Sequence, residues 1–153
     1  MRAWIGMIAL IFLMSVEPSQ ADEMECLTEA VYFEARSEPF IGQLAVANVI
    51  MERVRSSEFP NTVCSVVHDA AEWNGVPIRN RCAFSYWCDG KHERMTDKEA
   101  YKTARNVARM AIDGVLYEAV MGSTFYHASY VQPEWSYNFN FLTRIGKHLF
   151  YGE

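Results

Sequence analysis

Apolar positions recur along this chain with a helical period first and a strand-like period last. Leu27, Ala30, Val31 and Glu34 follow the i, i+3, i+4, i+7 rule and share one stripe of a helix predicted over residues 24–37. Over residues 41–55 apolar side chains fall on nearly every side, which predicts a central, buried helix. Pro39 separates the two and disfavours helical geometry at Glu38. Phe59-Pro60-Asn61 reads as a turn, with Asn61 or Thr62 capping a short helix through about His68. Residues 70–92, rich in Trp, Gly, Pro, Asn and Cys, read as loops and a small hairpin. Thr96 and Glu99 have capping-box spacing and open a helix to about Ile112. Its inner stripe is Ala100, Ala104, Val107, Ala108, Ala111 and Val115, and Gly114 supplies the stop. Residues 123–127 and 142–151 are strand-like. The pattern predicts an α+β domain over residues 22–153, mainly helical, with a small antiparallel sheet.

The first residues follow a different logic. Arg2 precedes an apolar run over residues 3–16, and Ser19-Gln20-Ala21 offers small residues at the positions a signal peptidase reads. Residues 1–21 are therefore expected to be an export signal, cleaved after Ala21. The competing reading is an uncleaved anchor, but the run is short against the roughly 20 residues of a full span. No later stretch is apolar enough to cross a membrane, so no stable insertion is expected after cleavage. The expected location is the periplasm or outside the cell.

The chain has 153 residues, half of them hydrophobic, which excludes a disordered polypeptide. A net charge of -5 argues against a nucleic-acid partner, which would call for a basic face. Four cysteines, Cys26, Cys64, Cys82 and Cys88, suit two disulfides in an exported chain, and three pairings are open. The closeness of Cys82 and Cys88 favours a short hairpin-like loop, leaving Cys26 with Cys64 to tie the first helix to the third. Zinc competes for the same residues, because Cys64 with His68 and Cys88 with His92 have ligand-like spacing. There is no Cys-x2-Cys pair, and neither metal nor cofactor is expected.

Glu34 changes the picture. A carboxylate on a stripe that should be core is paired, protonated or chemically employed. Burial disfavours its charged form and raises its pKa, which is how a glutamic acid becomes a general acid near neutral pH. Glu34 falls in the last turn of its helix, where a side chain can face inward and still meet a cleft. Glu38, one helical turn on, is the natural second carboxylate, although its place beside Pro39 suits a cap or ion-pair partner. The structural alternative for Glu34 is a buried ion pair with Arg36 or Arg53.

Several ordered segments together resemble the SleB-like cell-wall hydrolase family, the spore cortex-lytic enzymes and their relatives. They are Val31 through Pro39, Gly42 through Val54, Phe59 through Val67, Phe84-Ser85, Tyr126-His127 and Thr143 through Tyr151. The resemblance covers nearly all of the chain after the export signal. It implies a lysozyme-like fold, peptidoglycan glycan strands as partner, lytic transglycosylase chemistry and Glu34 as the catalytic acid/base. Beside Glu34, Ser85, Tyr86, Tyr126 and His127 are candidates for substrate binding, since hydroxyls would hold an N-acetyl group or steady an oxocarbenium-like state. Trp87 and Trp135 are candidates to stack on sugar faces, Glu38 to support the site, and Arg144 and Lys147 to meet peptide-stem carboxylates. Ordinary hydrogen bonding and core packing compete for each. Ser37 stands where the family usually has Gly, and Ala83 where a Gln often precedes Phe-Ser. A monomeric, bare catalytic domain is expected.

Three other functions compete. A water-using muramidase would recruit Glu38 or Asp89 as second carboxylate. A zinc amidase would need His68, His92, His127 or His148 as ligands, without a His-Glu-x-x-His motif to support it. A non-catalytic glycan-binding module would leave Glu34 structural.

Overall fold

The computed structural model describes residues 19–153, so the expected export signal lies outside the described residues except for Ser19, Gln20 and Ala21. These three belong to the start of α1 (Gln20–Ala35). The Ser19 side chain accepts from Asp22 N–H, and the Asp22 carboxylate accepts from Ser19 N–H at 3.1 Å. This capping box starts the helix before its apolar stripe begins, which is why it opens earlier than residue 24. Its inner face buries Leu27, Thr28, Ala30, Val31, Tyr32 and Ala35.

The chain turns at Ser37–Pro39 into α2 (Phe40–Arg55). Residues from Gly42 to Ile50 are all buried, as a helix without a polar face requires. Of its two buried amides, Gln43 donates to Glu38 C=O at 3.2 Å, and Asn48 is held by the loop that follows the last helix: it donates to Val115 C=O at 2.9 Å and accepts from Tyr117 N–H at 2.8 Å. Thr62 caps α3 (Val63–Val67) by accepting from Ser65 N–H. The Cys26–Cys64 disulfide ties α1 to α3.

The fourth helix, α4 (Lys98–Ile112), corrects one expectation. Its cap is Asp97, whose carboxylate accepts from the N–H groups of Glu99 and Ala100, and not Thr96. Thr96 and Asp97 are both competent caps, and the carboxylate is the stronger acceptor for helix-end N–H groups. Ala104, Val107, Ala108 and Ala111 form the buried stripe as expected. Val115 is 39% exposed, because the helix has already stopped at Gly114, whose φ of +90° suits glycine.

Two small antiparallel sheets complete the fold. β1 (Ala70–Trp73) and β2 (Val76–Cys82) pair through an Asn74-Gly75 turn with φ of 51° and 75°, the signature of a tight hairpin. The hairpin therefore precedes the Cys82–Cys88 disulfide, which instead staples the base of β2 to a 3-10 turn at Ser85–Cys88. The second sheet has the order β3-β5-β4, from β3 (Ser123–Ala128), β4 (Asn140–Ile145) and β5 (His148–Gly152). The strand expected over residues 142–151 is thus two strands. Gly146, at φ +57°, supplies the reversal that alternation alone conceals. α1 packs on α4, α2 on both, and α2 also lies against β3.

Candidate active site

The last turns of α1 and α2 and the strand β3 converge on one cleft of about 460 Å³. α1 delivers Phe33 and Glu34, α2 delivers Arg53, and β3 delivers Tyr126 and His127. The disulfide-stapled 3-10 turn brings Ser85 and Tyr86 into the lining, with Tyr86 stacked on Phe33 and with Tyr130, Val131 and His148 at other points. Residues far apart in sequence meet because α2 packs on both α1 and β3.

Glu34 is the only carboxylate in that lining among the described residues. Burial pushes its pKa above the usual value, opposed by a hydrogen bond from Tyr126 and by the charge of Arg53. The Tyr126 phenol donates to Glu34 Oε2 at 3.3 Å, long for an O–H···O bond and so weak at rest. Burial, followed by the Glu34 charge, holds the Tyr126 phenol well above its ordinary pKa, so it remains a proton-bearing donor. No ion pair within 4.0 Å is made by Glu34 among the described residues, which removes the simple structural explanation for its inward position.

Arg53, expected from the sequence only as an ion-pair partner, is the second charged side chain that lines the cleft close to Glu34. Its Nε donates to Thr124 C=O at 2.7 Å, fixing α2 to β3. Its guanidinium lies over the rings of Phe59, Phe84 and Phe125 at 5.1, 5.5 and 5.5 Å. Burial lowers its pKa, but the guanidinium starts so high that it keeps its charge near neutrality. The last turn of α2 carries Glu52, Arg53 and Arg55, and the structure shows Arg53 to be the buried one.

The other expected residues divide. Ser85 and Tyr86 line the cleft; burial and the surrounding carboxylates push the Tyr86 phenol far up, and its buried hydroxyl has no partner among the described residues. His127 lines the cleft, but both ring nitrogens are engaged. Nδ1 faces Ala128 C=O at 3.0 Å and must carry the proton, so Nε2 accepts from Tyr151 O–H at 3.0 Å. Trp135 is not in the cleft lining; it packs among Phe125, His127, Phe139 and Tyr151 behind the sheet. Trp87 stacks on His68 at 3.6 Å, away from the cleft.

Glu38 is buried and faces the β4–β5 turn, where its Oε2 accepts from Lys147 N–H at 2.9 Å. Neither Arg144 nor Lys147 lines the cleft. All four cysteines are in disulfides, and no three His, Cys, Asp or Glu side chains converge as a metal site among the described residues.

The mainly helical frame with its small antiparallel sheet is a lysozyme-like α+β fold, with Glu34 at a helix end lining its cleft. Residues 37–151 match the model of the Cell Wall Hydrolase family, and the chain belongs to that family. The matched stretch begins just after Glu34. A spore cortex-lytic enzyme of Halalkalibacterium halodurans is 32% identical over 130 residues, covering 84% of this chain and 34% of the relative. That of Bacillus subtilis is 32% identical over 130 residues, covering 84% and 37%. The chain thus spans little more than a third of the length of these relatives. The catalytic domain of the germination-specific lytic transglycosylase SleB from Bacillus anthracis superposes with a TM-score of 0.65 at 32% identity, covering 88% of this chain and 96% of that one. The SleB catalytic domain from Bacillus cereus gives 0.63 at 27% identity, covering 89% and 94%.

Proposed function

We propose that this chain cleaves the glycan strands of peptidoglycan as a lytic transglycosylase, with Glu34 as its single acid/base. The observation that carries the reading is the isolation of Glu34. It is the one carboxylate in the cleft lining among the described residues, and burial keeps it protonated above the ordinary glutamate range. A water-using glycosidase needs a second carboxylate across the bond. The two residues offered for that role lie elsewhere: Glu38 holds the β4–β5 turn, and Asp89 lines a separate cavity.

One carboxyl group suffices when the substrate supplies its own nucleophile. Tyr126 occupies Oε2, which leaves Oε1 to deliver the proton. Glu34 protonates the glycosidic oxygen between muramic acid and glucosamine as the C1–O bond breaks. The muramic acid C6 hydroxyl then bonds to C1, and its proton returns to the Glu34 carboxylate. No water is consumed, and the new end is a 1,6-anhydro sugar. The donor of Tyr126 and the positive charge of Arg53 both stabilise the carboxylate at the intermediate stage, when Glu34 is charged. Their opposition to burial keeps the group able both to give and to recover a proton.

The same reading places the protein outside the cytoplasm, exported through residues 1–21. No helix among the described residues is long and apolar enough to cross a membrane. The test is Glu34→Gln assayed on purified sacculi. Loss of general acid catalysis lowers turnover by about 10²–10⁴-fold. Retention of the wild-type rate would contradict the assignment.

A further inference from the structure

A second cavity, of about 250 Å³, backs onto the cleft. The two share only Phe33 and Tyr86, whose rings stack at 4.8 Å and form the wall between them. Beyond that wall the chemistry changes. The lining includes Arg36, Lys91 and His92 on one hand and Asp89 and Glu93 on the other. Lys91 is tied to Asp89 at 3.2 Å. Arg36 and Glu93 make no ion pair within 4.0 Å among the described residues. A cation and a carboxylate that make no ion pair among the described residues therefore share one cavity.

Two further observations point to a ligand. The Tyr86 hydroxyl is buried and unpartnered, in a residue only 7% exposed that lines both cavities. A buried donor without a partner costs stability, so it is more favourable where a ligand completes it. Glu93 also stands close to other carboxylates outside the lining. The Glu29 carboxyl is pushed up by burial and then by Glu93 and Glu25, a field that an added ammonium group would relieve.

We propose that this cavity binds the peptide stem carried by the muramic acid residue, taking a stem carboxylate at Arg36 and a stem ammonium group at Glu93. The proposal rests on the glycan-cleavage reading of the cleft next door. A glycan strand alone offers no ammonium group to satisfy Glu93, whereas a stem containing a diamino acid carries both charges. Arg36 suits the carboxylate because its planar fork can bind bidentately, and its position over the Tyr32 ring at 4.9 Å holds the guanidinium in place. The cations expected from sequence to meet the stem, Arg144 and Lys147, are not in this lining. The site would make the enzyme distinguish stem-bearing from stripped strands and would set which muramic acid presents its bond to Glu34.

The experiment compares kcat/KM on peptidoglycan strands that keep their stems with the same strands stripped by an amidase. It uses the wild type and Arg36→Gln, Glu93→Gln and Lys91→Ala. The wild type is expected to prefer stem-bearing strands. Arg36→Gln and Glu93→Gln should each shrink that ratio by about fivefold, the scale of one partly exposed ion pair. Lys91→Ala, in an exposed loop, guards against misfolding and should shrink it less. A wild type with no preference, or variants that keep its ratio, would overturn the proposal. Should neither strand be cut, the cleavage reading itself fails, and titration with free stem tetrapeptide still decides the cavity. A saturable shift of the His92 imidazole resonance, lost in Arg36→Gln, supports it, and no shift overturns it.

Discussion

The phenol of Tyr126 donates to Oε2 of Glu34 across 92 positions of sequence, joining the end of α1 to the middle of β3. This bond opposes burial: burial favours the neutral acid, and the phenol favours the carboxylate. Tyr126→Phe removes only the donor. The Glu34 pKa should then rise further, and kcat should fall roughly tenfold, the scale of one hydrogen bond to a charged group. A pH–rate profile of the variant checks this, with its alkaline limb displaced to higher pH than in the wild type.

The wild-type profile has its own sign. As the proposed general acid, Glu34 must be protonated in the free enzyme, so kcat/KM should fall as pH rises through its pKa. Because burial raises that pKa, the fall should begin above the range of an ordinary glutamate.

The same shift acts on stability in a definite direction. The folded chain binds the Glu34 proton more tightly than the unfolded chain, so the associated stability is fully present below the unfolded pKa and is lost as pH rises through the folded one. Glu34→Gln cannot ionise. Its Tm should exceed that of the wild type near neutral pH, and the advantage should vanish near pH 4. Thermal melts at the two pH values measure it.

Glu38 should behave oppositely. Its Oε2 accepts from Lys147 N–H, and a Cβ on Gly146 would overlap that oxygen. Glu38→Ala should lower stability by about 1–3 kcal/mol through the orphaned N–H, without changing the chemical identity of the product. Gly146→Ala should be worse, since it adds strain at φ +57° to the overlap. Denaturant titration and product analysis separate the two effects.

The two disulfides should also separate. Opening Cys26–Cys64, whose ends are 38 positions apart, should cost about 4 kcal/mol by loop entropy. Opening Cys82–Cys88, a span of 6, should cost about 2 kcal/mol. The smaller loop carries Ser85 and Tyr86, so Cys82→Ser with Cys88→Ser should lose more activity for each unit of stability lost.

Glu34 was legible in sequence because a charge on a helical stripe conflicts with the period around it. The short helix from Val63 was legible from its threonine cap, and the buried helix from its lack of a polar face. The β4–β5 reversal was hidden because residues 142–151 read as one run and only the φ of Gly146 breaks it. The helix cap moved from Thr96 to Asp97 because adjacent side chains compete for the same N–H groups. Trp135 and Glu38 could not be placed from sequence. Whether an aromatic ring meets a cleft or a neighbouring ring, and which backbone N–H a carboxylate finds, depends on tertiary packing. Arg53 became visible only when its guanidinium was seen between three aromatic rings and the cleft.

The most direct test of single-carboxylate chemistry is mass spectrometry of muropeptides released by the wild-type protein in water enriched in heavy oxygen. The account predicts 1,6-anhydromuramic acid ends with no heavy oxygen incorporated. Reducing muramic acid ends carrying the heavy isotope would show that water is the nucleophile and would contradict it.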